Sequence, residues 1–140
     1  MKFQEFLDNG KVRKGKPDIQ LSKSLVNMSV NHIQTAKSIR LDEKTCSTTF
    51  TLYYEALREI CEAICCIHGY KVYSHEAFTF FFKEHLNEQI IAMKFDRLRM
   101  NRNRINYYGK SLSLEESKSM INTALELIKL LKSKYINTKV

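Results

Sequence analysis

A chain of 140 residues with 23 lysines and arginines against 15 aspartates and glutamates carries a net charge of +8, which suits an anionic partner, nucleic acid before membrane. One proline and four glycines leave few breaks, which favours long helices over a many-stranded fold. No apolar run approaches the ~20 residues of a membrane span, and the stretch Met1 to Asp8 lacks the apolar core of a signal peptide, so the expected location is cytoplasmic.

Residues 1–140 read as one helical domain, of which 1–16 form a basic N-terminal extension. Met1 to Leu7 can make a short helix with Phe3, Phe6 and Leu7 as its sticky side, and Asp8-Asn9-Gly10 is a turn signal. Lys11 to Lys16 is a glycine-punctuated basic link, suited either to solvent or to a phosphate backbone. Pro17-Asp18 opens the first main helix, which runs to about Arg40. Its apolar stripe is Leu21, Leu25, Met28, His32 and Ile39, which makes His32 a hydrogen-bonded core or interface histidine. Leu41 to Thr45 is a loop.

The second main helix starts around Cys46 to Thr49 and ends at His68-Gly69. Phe50, Tyr54, Leu57, Cys61 and Ile64 line one side, widened by Tyr53, Ile60 and Ile67, and a helix this apolar belongs at the centre of a bundle. Glu55, Arg58, Glu59 and Glu62 supply a polar side expected to face solvent. Cys61, Cys65 and His68 share a helical face. The cysteines lack a Cys-x-x-Cys pair, however, and read as small core side chains, with no metal and no cofactor expected.

Gly69 to Tyr73 is a helix stop followed by an extended link. Ser74 is placed to cap the next helix, with Glu76 in its first turn. Phe78, Phe81, Phe82, His85 and Leu86 then form a core stripe, and Asn87 to Gln89 is a kink or short loop. Beyond it a helix runs to Tyr107 and stops at Gly109. Ser113 and Glu116 have capping-box spacing at the start of the last helix. Leu114, Ile121, Leu125, Ile128, Leu131 and Tyr135 make its inner face, and Lys129, Lys132, Lys134 and Lys139 crowd its end. The fold class is all-α: an up-down bundle of four main helices plus a short N-terminal one.

The usual enzyme signatures are missing: no phosphate-cradling glycine loop, no His-Glu-x-x-His, no nucleophile elbow. What stands out is Lys94 to Gly109, with four arginines and two adjacent tyrosines. At helical period Ile91, Phe95, Leu98, Arg102 and Ile105 share one stripe, so Arg102 sits where an apolar residue belongs. A guanidinium there cannot shed its charge and needs a partner. A carboxylate such as one of the second helix's glutamates, a helix C-terminus, a second subunit or a phosphate would serve.

The segment Arg102-Asn103-Arg104-Ile105-Asn106-Tyr107-Tyr108-Gly109 resembles the signature of HEPN-domain proteins, in which an Arg-polar pair is followed after a few residues by His or, in some branches, Tyr. Tyr53 to Ile60 and Gly69 to Ala77 also resemble a small stand-alone prokaryotic branch of that family. The resemblance implies a helical bundle that pairs as a twofold homodimer, with the arginine motifs facing one cleft. It further implies a metal-independent endoribonuclease of a toxin–antitoxin or defence system, with a minimal nucleotidyltransferase as antitoxin partner. Carried over, Arg102 holds the scissile phosphate and Asn103 orients it. Tyr107 stands where catalytic members carry histidine, and Arg99, Arg104 and Tyr108 are the neighbouring nucleic-acid contacts. An imidazole would serve as acid and base, whereas a phenol offers the phosphate a hydrogen bond. Three readings follow: RNA cleavage, RNA or nucleotide binding without cleavage, and a structural dimer in which Arg102 is an ion-pair partner.

Overall fold

Fifteen of the 22 residues in α3 (Cys46–Ile67) are buried, so the other main helices pack around it. The computed structural model describes residues 1–137. In chain order the elements are α1 (Phe3–Asp8), β1 (Val12–Lys14), α2 (Ile19–Ser38), α3, β2 (Tyr70–Val72), α4 (His75–Phe80), α5 (Gln89–Tyr108) and α6 (Leu114–Leu131). One π-helical turn (Phe81–His85) extends α4 and another (Lys132–Ile136) extends α6. The all-α bundle is as expected, with a two-stranded ribbon as its only sheet among the described residues. Lys139, counted among the C-terminal cations, lies outside the described residues. No described helix is long and apolar enough to cross a membrane.

The pairing runs up and down. Ser22 Oγ donates to the Ala63 carbonyl (3.1 Å) and His32 Nδ1 meets Glu59 Oε1 (2.8 Å), so α2 and α3 are antiparallel. Leu112 N donates to Ser47 Oγ (2.9 Å), which sets the start of α6 beside the start of α3. The side of α2 that packs inward is Ser22, Leu25, Ser29 and Ala36, while Met28 is 46% exposed. This corrects the large-residue stripe. The facing α3 surface carries the bulk, so close approach selects small side chains on α2.

That close approach also overturns the solvated polar side of α3. Glu59 is fully buried and Glu62 nearly so. Arg58 bridges Glu55 and Glu62, both at 2.6 Å, and Lys71 reaches Glu62 at 3.3 Å. Buried carboxylates survive because each is paired or hydrogen-bonded. Burial pushes the Glu55 carboxyl up, but Arg58 outweighs that and holds it below its usual range. The Glu59 carboxyl is raised by burial despite His32.

The supposed N-terminal extension and its basic link are part of the fold. Phe3 and Phe6 are buried in the core, and Val12, Arg13 and Lys14 pair antiparallel with Val72, Lys71 and Tyr70. The segment after Gly69 is therefore β2, not a free link. Sequence alone missed the ribbon because each strand has three residues, too short for a period to register. Phe78, Phe81 and Phe82 are core as expected, whereas His85 is exposed and covers that core at the surface, its ring stacked on Phe81 (5.2 Å) and edge-on to Tyr70 (5.1 Å). The chain then breaks at Leu86 to Glu88, with Asn87 in the left-handed region (φ 53), so that α4 and α5 form an antiparallel hairpin. Thr79 Oγ1 donates to Asp96 Oδ1 across it (3.0 Å). The α6 start has a full capping box between Ser113 and Glu116. Ser74 occupies the N-cap of α4 without a side-chain cap bond.

Candidate functional site

The C-terminal half of α5, the start of α4 and the edge of the ribbon enclose an open cleft of about 520 Å³. Phe95 and Leu98 anchor α5 in the core, and the same helical face carries Arg102 one turn further on. Its guanidinium lies between two tyrosine rings, 5.7 Å from the buried Tyr54 of α3 and 5.8 Å from Tyr107. Arginine favours such stacking because its charge is delocalised and weakly hydrated. Its Nε is shielded from solvent yet has no hydrogen-bond partner among the described residues.

No carboxylate meets Arg102 among the described residues. Those nearby on α3 and α4 are already engaged: Glu55 and Glu62 by Arg58, Glu59 by His32, and Glu76 by Arg99 at 3.6 Å. Arg99 is also held by Asp96 (2.9 Å), so its charge is largely answered within the chain. Arg102 and Lys11 leave the cleft with a positive excess that the described residues do not neutralise.

The sequence-predicted residues are brought together in part. Arg102, Asn103, Tyr107 and Arg99 line the cleft. Arg104 instead points to solvent and donates to Asn101 Oδ1 (3.3 Å), and Tyr108 is 72% exposed outside the cleft lining. Residues i+2 and i+6 from Arg102 lie on other faces of the same helix, which is the reason. No group of three or more His, Cys, Asp or Glu side chains converges on a point that could hold a metal, among the described residues.

Sequence reasoning missed His75, the first residue of α4, and with it Tyr54 and Tyr73; Lys11, read as the start of a basic link suited to solvent or phosphate, joins the cleft. His75 lines the cleft, and its Nδ1 is 2.9 Å from the Tyr54 hydroxyl. Burial, reinforced by the charges of Arg102 and Arg58 and opposed by Glu55 and Glu62, pulls its pKa down to about 4. The ring is therefore neutral at pH 7. Burial likewise pushes the Tyr54 phenol well above its usual value, so it remains a hydroxyl. The available signal was the apolar stripe itself, which places Tyr54 on the core side of α3. Nothing local marked His75. Chemically, the cleft offers a forked cation, an amide, a neutral imidazole and a phenol around one cavity.

No protein-family model matches the chain, and no curated protein resembles it detectably.

Proposed function

We propose that this chain is a HEPN-type protein acting on RNA in the cytoplasm, a metal-independent endoribonuclease working as a homodimer in a toxin–antitoxin or defence pair. The observation that carries this reading is Arg102: stacked between Tyr54 and Tyr107, shielded from solvent at Nε, and without a carboxylate partner among the described residues. A phosphate satisfies such a guanidinium with two parallel hydrogen bonds. An intrachain ion pair as its purpose is disfavoured by the same geometry.

In the proposed reaction the 2′-hydroxyl loses its proton as its oxygen bonds to the adjacent phosphorus. The bond to the 5′-oxygen breaks, and that oxygen takes a proton from water, leaving a 2′,3′-cyclic phosphate and a 5′-hydroxyl. Arg102 neutralises the charge that accumulates on phosphorus, Asn103 orients the phosphate and Tyr107 donates a hydrogen bond to it. His75 is the group that takes the 2′-hydroxyl proton, with its Nδ1–H donating to the Tyr54 oxygen and Nε2 left as acceptor. Burial is the main cause of the low His75 pKa and the Arg102 charge the next; a phosphate anion beside Arg102 offsets that second part and raises the ring's basicity in the complex.

Pairing of two copies is supported by α5, whose exposed face carries Ile90, Met93, Met100 and Tyr107 at heptad-like spacing, each more than half exposed. The antitoxin expected from the family resemblance is a minimal nucleotidyltransferase. A second reading, gripping RNA or a nucleotide without cutting it, is favoured by tyrosine at position 107 in place of histidine.

The test is incubation with RNA in EDTA beside Arg102→Ala and Tyr107→Phe variants, with the sedimentation mass measured in parallel. Cleavage that Arg102→Ala abolishes upholds the first reading, and binding without cleavage selects the second. Cleavage that survives both substitutions excludes this site.

A further inference from the structure

Beside the cleft, on the other flank of the β1–β2 ribbon, lies a second, smaller depression of about 150 Å³ whose rim is set by Arg13, Lys14, Lys16 and Lys71. In the ribbon register Arg13 stands directly opposite Lys71. Like charges facing each other across an antiparallel pair are destabilising. Only Lys71 finds a carboxylate, Glu62 at 3.3 Å; Arg13, Lys14 and Lys16 have none within 4.0 Å among the described residues. Asp18, the one acid at the depression, is occupied in capping α2 through the Leu21 N–H (3.0 Å).

These cations do not sit on a loose tether. The Gly15 N–H donates to the Gly69 carbonyl (2.7 Å) and the Asp18 N–H to the Cys66 carbonyl (2.9 Å), clamping the basic segment against the end of α3. Nor is the depression separate from the cleft. Tyr73 and Lys11 line the cleft, and the Arg13 guanidinium lies 5.7 Å from the Tyr73 ring. Tyr73 is 57% exposed, a ring open to further stacking. Cations along a groove, interleaved with an exposed aromatic, are the features that hold single-stranded nucleic acid without reading its sequence.

We propose that the ribbon is a second phosphate-contact track, along which single-stranded RNA leaving the Arg102 cleft lays its backbone across Tyr73 and Arg13 toward Lys14 and Lys16. This rests on the reading of the cleft as an RNA site and adds how the strand is gripped beyond the reacting phosphate. Residues 11–16 span at most about 16 Å, so a dinucleotide fills the cleft alone while a longer strand reaches the ribbon.

The experiment compares wild type, Arg102→Ala and the triple variant Arg13→Gln/Lys14→Gln/Lys16→Gln. Two 2′-O-methyl probes, which cannot be cut through the 2′-oxygen, are titrated by fluorescence anisotropy: a dinucleotide and a strand of about twelve nucleotides. The three ribbon positions are exposed, so the triple variant should keep the wild-type circular dichroism spectrum and melting curve. Its affinity for the long strand should fall at least about tenfold at low salt. The slope of log affinity against log salt should become shallower by about 2, for three lost contacts. Dinucleotide binding should be unchanged in the triple variant and lost in Arg102→Ala. A long strand bound by the triple variant with wild-type affinity and slope overturns the track and leaves the cleft reading standing if Arg102→Ala still loses the dinucleotide. Failure of wild type to bind either probe overturns both. Loss confined to phosphatidylserine vesicles, with RNA unaffected, assigns the ribbon to a lipid surface and also overturns the proposal.

Discussion

Replacing Arg102 by glutamine should raise the pKa of His75. In the native protein that ring is held near 4 first by burial and then by the Arg102 and Arg58 charges. Arg102 lies 5.7 Å from the Tyr54 ring, which lies 5.8 Å from His75, bounding the separation of the two groups at about 11.5 Å. With an effective dielectric of about 20, Coulomb's law gives about 1.4 kcal/mol at that limit, equivalent to about one pH unit. The assay is an NMR titration of the imidazole Cε1–H resonances, with His75 assigned by its loss in His75→Gln. His75 should titrate near 4 in wild type and about one unit higher in Arg102→Gln. Since the folded-state pKa lies below the ordinary 6.5, the unfolded chain binds the extra proton between about pH 6.5 and 4. Stability should accordingly fall as pH drops through that window, by about 1–2 kcal/mol after allowance for the ring's partial contact with solvent. The loss should be smaller in Arg102→Gln. A wild-type His75 titrating near 6.5, or a value unmoved by removing Arg102, refutes the desolvated ring beside an unpaired cation.

Three further substitutions probe the frame. Glu59→Ala should cost about 2–4 kcal/mol in urea denaturation, since it opens a cavity at a fully buried site and strands His32, whereas Glu59→Met should be within about 1 kcal/mol of wild type or more stable, because Oε2 already lacks a partner. Gly69→Ala should destabilise well beyond Gly109→Ala: both have positive φ, but a Cβ at Gly69 falls 2.6 Å from the Gly15 carbonyl oxygen and at Gly109 meets nothing within 4 Å, limiting the cost there to about 1 kcal/mol in thermal melts. Ser113→Ala should lower stability by about 1 kcal/mol through loss of the capping box, with no effect on RNA binding.

Helix identity, the centrality of α3 and the burial of Phe78, Phe81, Phe82 and Phe95 were readable from periodicity, because each depends on neighbours three and four residues away. The same logic placed Arg102 on an apolar face. It misread the polar side of α3, where Glu59 and Glu62 look solvated by pattern but are buried, Glu59 against His32 of α2 and Glu62 between Arg58 and Lys71 of β2. It also missed the ribbon, whose partners are nearly sixty residues apart, and put His85 in the core, where the ring instead covers Phe81 and Tyr70 at the surface.

What the sequence determined by itself, then, is an all-helical chain, strongly basic, with one arginine out of place on a greasy stripe. Only the tertiary structure decided what surrounds that arginine: Tyr54 from α3 beneath it, His75 from α4 alongside, Lys11 and Tyr73 from the ribbon across the cleft, and every nearby carboxylate engaged elsewhere. The reason is physical. Helix-forming pattern is local and repeats along the chain, whereas the partner of a desolvated charge is set by which distant segments the packed core brings within a few ångströms.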